Sequence, residues 1–134
     1  MIYIRKNKLY YFRRYKKFEG DKSVRHPKLI VDEKNDEYGY MGLTSSKKSG
    51  GHYNIPLKIN PQKNAKNKSY LRKNIDYDKK NKFGEILNKY NLSEEDKKYI
   101  IDYVNRHKKR SRLYAIYFKK SNRHLLQNVL YQNR

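Results

Sequence analysis

The sequence of 134 residues has no cysteine, six glycines, three prolines and only 13 acidic residues. The lack of cysteine excludes disulfide scaffolds, thiolate zinc sites and cysteine nucleophiles. Because no run of about 18 apolar residues occurs, no segment is predicted to span a membrane. The N-terminal stretch MIYIRKNKLYYFRR lacks the apolar segment of a signal peptide, so we expect a cytoplasmic protein.

The scarcity of acidic residues contrasts with 34 lysines and arginines, which give a formal net charge of +21. One interpretation is the codon bias of an AT-rich genome, which explains abundant lysine better than it explains few acids. The other is a polyanionic partner such as RNA, DNA or an acidic protein, whose binding would weaken steeply with salt. Charge therefore indicates a class of partner and leaves the activity open.

No Gly/Ser-rich linker and no internal repeat divides the chain, so we expect a single domain over residues 1–134. A basic N-terminal strand region (1–24) precedes a core of strands and turns (about 25–90). Leu29–Val31 and Tyr38–Leu43 are predicted to form an antiparallel hairpin, because apolar positions flank a short polar turn. Further strands are expected at 53–57 and 69–72, with a flexible polar loop at 45–51 between the hairpin and the first of them.

The C-terminal part, about 91–134, is predicted to be helical. Ser93 is a helix N-cap followed by acids in the first turn, and Ile100 and Val104 continue at helical spacing. A second helix is predicted from Ser121, whereas 113–118 is an apolar run that fits helix or strand equally. Strands first and helices later indicate an α+β fold rather than alternating βαβ units.

Most catalytic signatures are missing from the chain. It has no Gly-rich phosphate loop and no Gly-x-Ser-x-Gly elbow, and its acids and histidines lack the spacing of a metal site. We therefore expect neither a metal nor a cofactor. Metal-free RNA cleavage remains compatible, because the 2′-hydroxyl of the substrate can attack the adjacent phosphate while the protein moves protons and stabilises charge.

Two short segments carry a family resemblance: Arg25-His26-Pro27 before the first predicted strand, and Leu43-Thr44-Ser45-Ser46-Lys47 after the second. In this order they resemble the MazF/PemK-like toxin endoribonucleases, a superfamily that includes the ToxN-like toxins. The resemblance covers about residues 25–75. It implies an SH3-like β-barrel with appended helices, a sequence-selective RNase that leaves 2′,3′-cyclic phosphate and 5′-hydroxyl ends, and often a homodimer.

The resemblance also implies a role for each matching residue. Arg25 matches an arginine that contacts the scissile phosphate, although His26 separates it from Pro27. Thr44 and Ser45 match residues at the cleavage site, and Lys47 matches a lysine that stabilises the phosphorane. Each residue also has an ordinary structural interpretation, such as a turn hydrogen bond for Thr44 or an exposed surface position for Lys47.

Other residues are candidates from chemistry alone. His26 and His52 are candidate acid–base groups, because imidazole titrates near neutral pH, with an exposed loop position as the alternative. Tyr38 and Tyr40 are expected to pack in the core. Lysines and arginines in the basic segments 1–18 and 105–123 and near the predicted strands are candidate RNA contacts: Arg13, Arg14, Lys16, Lys17, Lys48, Arg72, Lys108, Lys109 and Arg110.

These observations lead to one favoured function and two alternatives. The favoured function is an endoribonuclease toxin acting on single-stranded RNA, held inactive by a cognate antitoxin that is either an acidic protein or a structured RNA. The first alternative is a non-catalytic RNA- or DNA-binding module on the same barrel. The second is a toxin that inhibits a topoisomerase, which leaves the Thr-Ser-x-Lys segment and the basicity unused.

Overall fold

The computed structural model of the chain describes residues 9–16 and 26–108. Within these residues nine strands form, followed by helix α1 at 94–108. The strands are β1 (Tyr11–Tyr15), β2 (Lys28–Lys34), β3 (Glu37–Thr44), β4 (Lys48–Ser49), β5 (His52–Tyr53), β6 (Ile55–Pro56), β7 (Tyr70–Leu71), β8 (Asp76–Lys79) and β9 (Phe83–Ile86). A 3₁₀ turn at Lys80–Lys82 joins β8 to β9.

Seven of the described strands form one antiparallel sheet in the order β6-β7-β3-β2-β1-β9, with β8 beside the first half of β3. Strands β4 and β5 form a separate two-stranded hairpin. The predicted β2–β3 hairpin is confirmed, and Lys34 pairs with Glu37 across its turn. Strands β6 and β7 confirm short strands near 53–57 and 69–72, and β6 with Pro56 lies at an edge of the sheet, as proline requires.

The core follows directly from the strand register. Phe12, Leu29 and Met41 lie opposite one another on β1, β2 and β3, and each is fully buried. A second buried row crosses the same face where β3, β7 and β6 pair, and its members are Leu43, Leu71 and Ile55. We call this side the core face. Alternation along each strand sends the intervening side chains to the opposite face.

The opposite side, which we call the tyrosine face, carries Tyr15, Tyr38, Tyr40 and Phe83. The Phe83 ring lies 5.3 Å from that of Tyr38 and 5.4 Å from that of Tyr40. In the sheet order β9 is three strands away from β3, a distance of about 14 Å in a flat sheet. The sheet must therefore curl toward this face to bring the rings together.

The curled sheet does not close. Within the described strands β9 pairs with β1 and β8 pairs with β3, and β8 and β9 do not pair with each other. The α+β class is confirmed. Tyr38 and Tyr40 are half-buried on the tyrosine face, where they pack on the buried Phe83, while Gly39, Met41 and Leu43 alternate to the core face.

Two local predictions change in the structure. The segment expected to be a flexible loop at 45–51 contains the start of the β4–β5 hairpin, whose turn residues Gly50 and Gly51 have φ of 56° and 81°. Positive φ at both central positions is the geometry of a tight hairpin turn, which two glycines adopt without strain. Strands β8 and β9 are not predicted by the sequence, because Asp76–Lys79 lacks an apolar alternation.

Helix α1 begins as the sequence predicts. The Ser93 hydroxyl accepts a hydrogen bond from the backbone N–H of Asp96 at 3.2 Å, so Ser93 is the N-cap. The chain groups into two compact units, Met1–Tyr99 and Ile100–Arg134, with the boundary inside this helix. In the second unit the described part is 100–108, where Ile100 and Val104 are fully buried.

No helix among the described residues is both long and apolar enough to cross a bilayer. The helix predicted from Ser121 and the apolar run at 113–118 lie outside the described residues.

Candidate functional site

A cleft of about 350 Å³ opens where the β2–β3 hairpin meets the loop between β6 and β7. It is lined by the two segments that the sequence singles out, His26-Pro27 and Leu43-Thr44-Ser45, although 16 or more positions separate them in the chain. Residues from the β6–β7 loop and from the segment before α1 complete the lining, namely Gln62, Ala65, Lys66, Asn67, Ser69 and Tyr90.

The hairpin itself explains why the two segments meet. In an antiparallel pair the start of one strand lies beside the end of its partner. The backbone N–H of Leu43 donates to the carbonyl of Pro27 at 2.9 Å, which holds the start of β2 against the end of β3. His26 is exposed and Thr44 is half-buried at this junction. The structure thus brings His26, a candidate from its chemistry, together with Thr44 and Ser45, two of the residues that the resemblance nominates.

Asn60 shapes the loop that forms the other wall. Its side-chain N–H groups donate to the carbonyls of Asn67 at 3.0 Å and Ala65 at 3.4 Å. Its side-chain oxygen accepts from the backbone N–H of Ser69 at 2.9 Å. A single amide side chain therefore uses both its donors and its acceptor to fold this loop around itself.

The start of the same loop is held by the first turn of α1. The Asp96 carboxylate is 5% exposed and accepts the backbone N–H groups of Lys58 at 3.1 Å and Ile59 at 3.2 Å. The carbonyl of Pro61 also accepts from the backbone N–H of Asn91 at 3.0 Å. Position 96 thus links the helix start to the cleft wall.

Thr44 has a structural hydrogen bond and remains chemically competent. Its Oγ1 accepts the backbone N–H of Ser46 at 3.1 Å, which is the ordinary turn interaction of a threonine at a strand end. A hydroxyl also has one O–H donor, and accepting a bond does not use it. Thr44 can therefore stabilise the turn and donate to a phosphate oxygen in the cleft.

Lys47 and His52 lie on the β4–β5 hairpin and do not line the cleft. Both are exposed. The Nζ atom of Lys47 lies 5.9 Å from the ring centroid of Tyr53, and that of Lys48 lies 4.5 Å from it. Among the described residues that line the cleft, the lysine is Lys66, which the sequence does not single out.

Two of the candidate RNA-binding arginines have partners within the protein. Arg13 donates to the carbonyl of Gly84 at 2.9 Å, and its guanidinium lies 5.5 Å from the ring of Tyr11 and 5.3 Å from that of Tyr38. Arg14 forms an ion pair of 3.1 Å with Glu85, while its side chain is only 14% exposed. These interactions join β1 to β9, so both arginines have a structural role.

The remaining cations are scattered. Lys16 is exposed at the end of β1, and its backbone N–H donates to the carbonyl of Lys82 at 2.7 Å. Arg72 is exposed beside Gly42, where its Cδ is 3.3 Å from the position of an added Cβ. Lys108 is half-buried on α1. The other nominated cations, Arg25, Lys17, Lys109 and Arg110, lie outside the described residues.

The tyrosine face is a packed aromatic cluster rather than an open surface. The Tyr15 hydroxyl donates to Asp78 at 2.5 Å, and its ring lies 5.2 Å from Phe83. Burial, and then the hydrogen bond to Asp78, raise the pKa of Tyr15 well above its ordinary value. The Nζ atom of Lys28 lies 5.4 Å from the Tyr15 ring and 5.6 Å from the Tyr40 ring.

The cleft wall that sequence reasoning misses comes from Asn60–Ser69. This segment lies between the strands expected at 53–57 and 69–72, and its asparagines and lysines are the only signal that it offers. An asparagine between short strands often orders a loop by bonding its own backbone. The pattern does not reveal, however, that the loop returns to the end of β3.

Within residues 9–16 and 26–108, no three histidine, aspartate or glutamate side chains lie together as a metal site would require. Comparison of the chain with protein-family models, curated protein sequences and solved structures gave no match. The geometry of the cleft is therefore the basis for a functional proposal.

Proposed function

We propose that the chain is a metal-independent endoribonuclease that cleaves single-stranded RNA in the cleft between His26 and Thr44, and that it is the toxin of a toxin–antitoxin system. One observation carries the proposal. The two segments whose residue types suit phosphodiester chemistry, far apart in the sequence, meet in one cleft of suitable size. A hydroxyl, an imidazole and an ammonium group are the parts that 2′-hydroxyl attack requires.

The roles follow from the cleft lining. The RNA 2′-hydroxyl attacks the adjacent phosphorus, so a proton leaves that hydroxyl and another reaches the departing 5′-oxygen. Among the described side chains that line the cleft, His26 is suited to move these protons. The Thr44 O–H and the Lys66 ammonium stabilise the negative charge on the phosphorane. The products are a 2′,3′-cyclic phosphate and a 5′-hydroxyl.

Fold and charge are consistent with this proposal. The curl of the sheet and the 3₁₀ turn between β8 and β9 favour an SH3-like barrel, the architecture that the resemblance implies. A net charge of +21 would attract RNA and an antitoxin made of acidic protein or structured RNA. Arg25 immediately precedes His26 in the chain and keeps the phosphate-contacting role that the resemblance implies.

The test is cleavage of single-stranded RNA by the purified protein in EDTA, with analysis of both new ends. Thr44→Ala should lower kcat by about 10²- to 10³-fold, the cost typical of losing one donor to a developing anion. Thr44→Ser keeps the hydroxyl and should retain most activity. Intact RNA across diverse sequences at high protein concentration would refute the proposal.

A comparison of two lysines tests the placement of the positive charge. Lys66→Ala should lower kcat, because Lys66 lines the cleft. Lys47→Ala should chiefly raise KM, because Lys47 lies on the hairpin outside the cleft and would contribute to RNA binding. The reverse result, with kcat depending on Lys47 alone, would support the role that the resemblance assigns to Lys47.

A second function is favoured by a different observation. Thr44 and Lys47 both have interactions within the protein, a turn hydrogen bond and an aromatic ring. In a non-catalytic nucleic-acid-binding module, Thr44 and Lys47 would have these structural roles and no part in cleavage. It predicts salt-sensitive binding of RNA or DNA that leaves the nucleic acid unchanged, and the same EDTA assay separates the two functions.

A further inference from the structure

The β4–β5 hairpin presents an exposed tyrosine beside two lysines. Tyr53 is 54% exposed, although it is an aromatic residue within a strand. The Nζ atoms of Lys48 and Lys47 lie 4.5 Å and 5.9 Å from the centroid of its ring. Among the described residues neither lysine forms an ion pair with a carboxylate. Both charges are therefore available to an external anion.

A buried amide holds the hairpin in place. Asn54 is 6% exposed, and its side-chain N–H groups donate to the carbonyl of Ser46 at 2.9 Å and to Ser49 Oγ at 2.8 Å. Its backbone N–H donates to the carbonyl of Lys47 at 2.9 Å. These bonds tie the first strand to the second at the base of the hairpin. The backbone that carries the ring and the two ammonium groups is thereby held in place.

The hairpin begins at the rim of the cleft. Ser45 lines the cleft, and Lys47 and Lys48 follow it by two and three residues. Even fully extended, this stretch of chain spans at most about 10 Å. A nucleotide next to the phosphate bound in the cleft is therefore within reach of the hairpin.

We infer that the β4–β5 hairpin is a binding subsite for a nucleotide flanking the scissile phosphate of single-stranded RNA. The nucleobase stacks on Tyr53, and Lys47 and Lys48 neutralise the phosphate of that nucleotide. This inference rests on the RNA substrate proposed above. Proteins bind unpaired nucleotides with this combination of an aromatic platform and adjacent cations. An acidic peptide would use the lysines but would have no base to stack on the ring.

The experiment measures binding without cleavage. A pool of fluorescein-labelled 2′-O-methyl 12-mers of random sequence lacks the attacking hydroxyl, and anisotropy reports its Kd for the full chain. Tyr53→Ala should raise Kd by about 5- to 20-fold, within the range for loss of one base–aromatic stack. Tyr53→Phe keeps the ring and should change Kd by less than about twofold.

The control is a tyrosine of matched exposure. Tyr99 on α1 is 55% exposed and does not line the cleft, so Tyr99→Ala removes a ring of equal accessibility outside the proposed site. It should leave Kd unchanged, and circular dichroism of each variant verifies folding. For the cations, Lys48→Ala should reduce the slope of log Kd against log salt by about 0.7, the value for one phosphate contact on a single strand.

The outcomes separate this inference from the proposed function. Equal Kd values for Tyr53→Ala and Tyr99→Ala would overturn the subsite, while cleavage of natural RNA would still support the nuclease. Tyr53-dependent binding without cleavage of natural RNA would support the hairpin as a nucleotide-binding subsite but would refute the nuclease, and with it a scissile phosphate beside the subsite. Failure of the wild-type chain to bind the pool would overturn the subsite. If Tyr53→Ala weakens the binding of a polyglutamate peptide as much as it weakens the binding of the RNA pool, base stacking is overturned as the role of the ring.

Discussion

Replacement of Asp96 by alanine should be among the most destabilising single changes in the described part of the chain. The Asp96 carboxylate is 5% exposed and accepts two backbone N–H groups, from Lys58 and Ile59. It also lies in the first turn of α1, where the helix dipole favours a negative charge. Alanine removes both acceptors and the charge and leaves a small void.

The magnitude follows from these contacts. A hydrogen bond to a charged group contributes about 1.5–3 kcal/mol, and the lower end applies here because Lys58 and Ile59 are exposed and their amides can rehydrate. Two such bonds and the charge at the helix start give about 3 kcal/mol for Asp96→Ala. At about 3–5 °C per kcal/mol for a chain of this size, Tm should fall by about 10–15 °C.

Asp96→Asn separates geometry from charge. The asparagine keeps one side-chain oxygen as an acceptor, so it should retain one of the two bonds and lose about half as much stability. Glu95→Gln is the matched control in the same helical turn. Glu95 pairs with Lys58 at the surface, and its loss should leave Tm nearly unchanged because exposed ion pairs are screened by water and salt.

The assay combines urea unfolding, followed by circular dichroism, with hydrogen exchange of individual amides. In Asp96→Ala the amides of Lys58 and Ile59 should lose protection before the strands of the sheet do. An unfolding free energy within about 1 kcal/mol of the wild type, or unchanged protection of these two amides, would refute the reasoning.

The other predictions concern the Gly39–Tyr77 contact and alkaline stability. Burial, and then the hydrogen bond to Asp32, raise the pKa of Tyr77 from its ordinary 10.0. As pH rises, the unfolded chain therefore loses the Tyr77 hydroxyl proton before the folded chain does. The stability that this group contributes is fully present below about pH 10 and falls as pH rises further. Tyr77→Phe should flatten that fall, measured by urea unfolding between about pH 8 and 11. In Gly39→Ala the new Cβ would lie 2.7 Å from a Tyr77 ring carbon and 2.9 Å from Asp32 Cβ, so unfolding should need about 1–3 kcal/mol less. Gly84→Ala, where the nearest atom is the flexible Arg14 side chain at 3.1 Å, should cost less, and equal losses would contradict the steric argument.

The β2–β3 hairpin and the start of α1 are predictable because their signals are local. Alternating side chains around a short polar turn specify a hairpin, and a serine before three acidic residues specifies a helix start. Both features lie where the sequence places them. The pairing of β8 with β3 is not predictable, because Asp76–Lys79 is polar and its partner lies more than 30 residues away.

Only one wall of the candidate site is predictable from the sequence. His26, Thr44 and Ser45 belong to the ends of one hairpin, so antiparallel pairing alone brings them together. Lys66 and its loop reach the cleft through the hydrogen bonds of Asn60 and Asp96, which no short motif records. Lys47 follows the cleft residues in sequence, yet the tight Gly50–Gly51 turn places it on a hairpin beside Tyr53.

The amino-acid order is enough to establish the excess of positive charge, the absence of cysteine, the α+β order of elements and the two segments nominated for chemistry. Only the folded chain shows that Lys66 lines the cleft, which tyrosines pack together and which are exposed to solvent. The difference is one of range. Side-chain alternation and helix capping act over a few residues, whereas the strand pairing of the curled sheet and the hydrogen bonds of Asp96 to the loop join residues more than 30 positions apart.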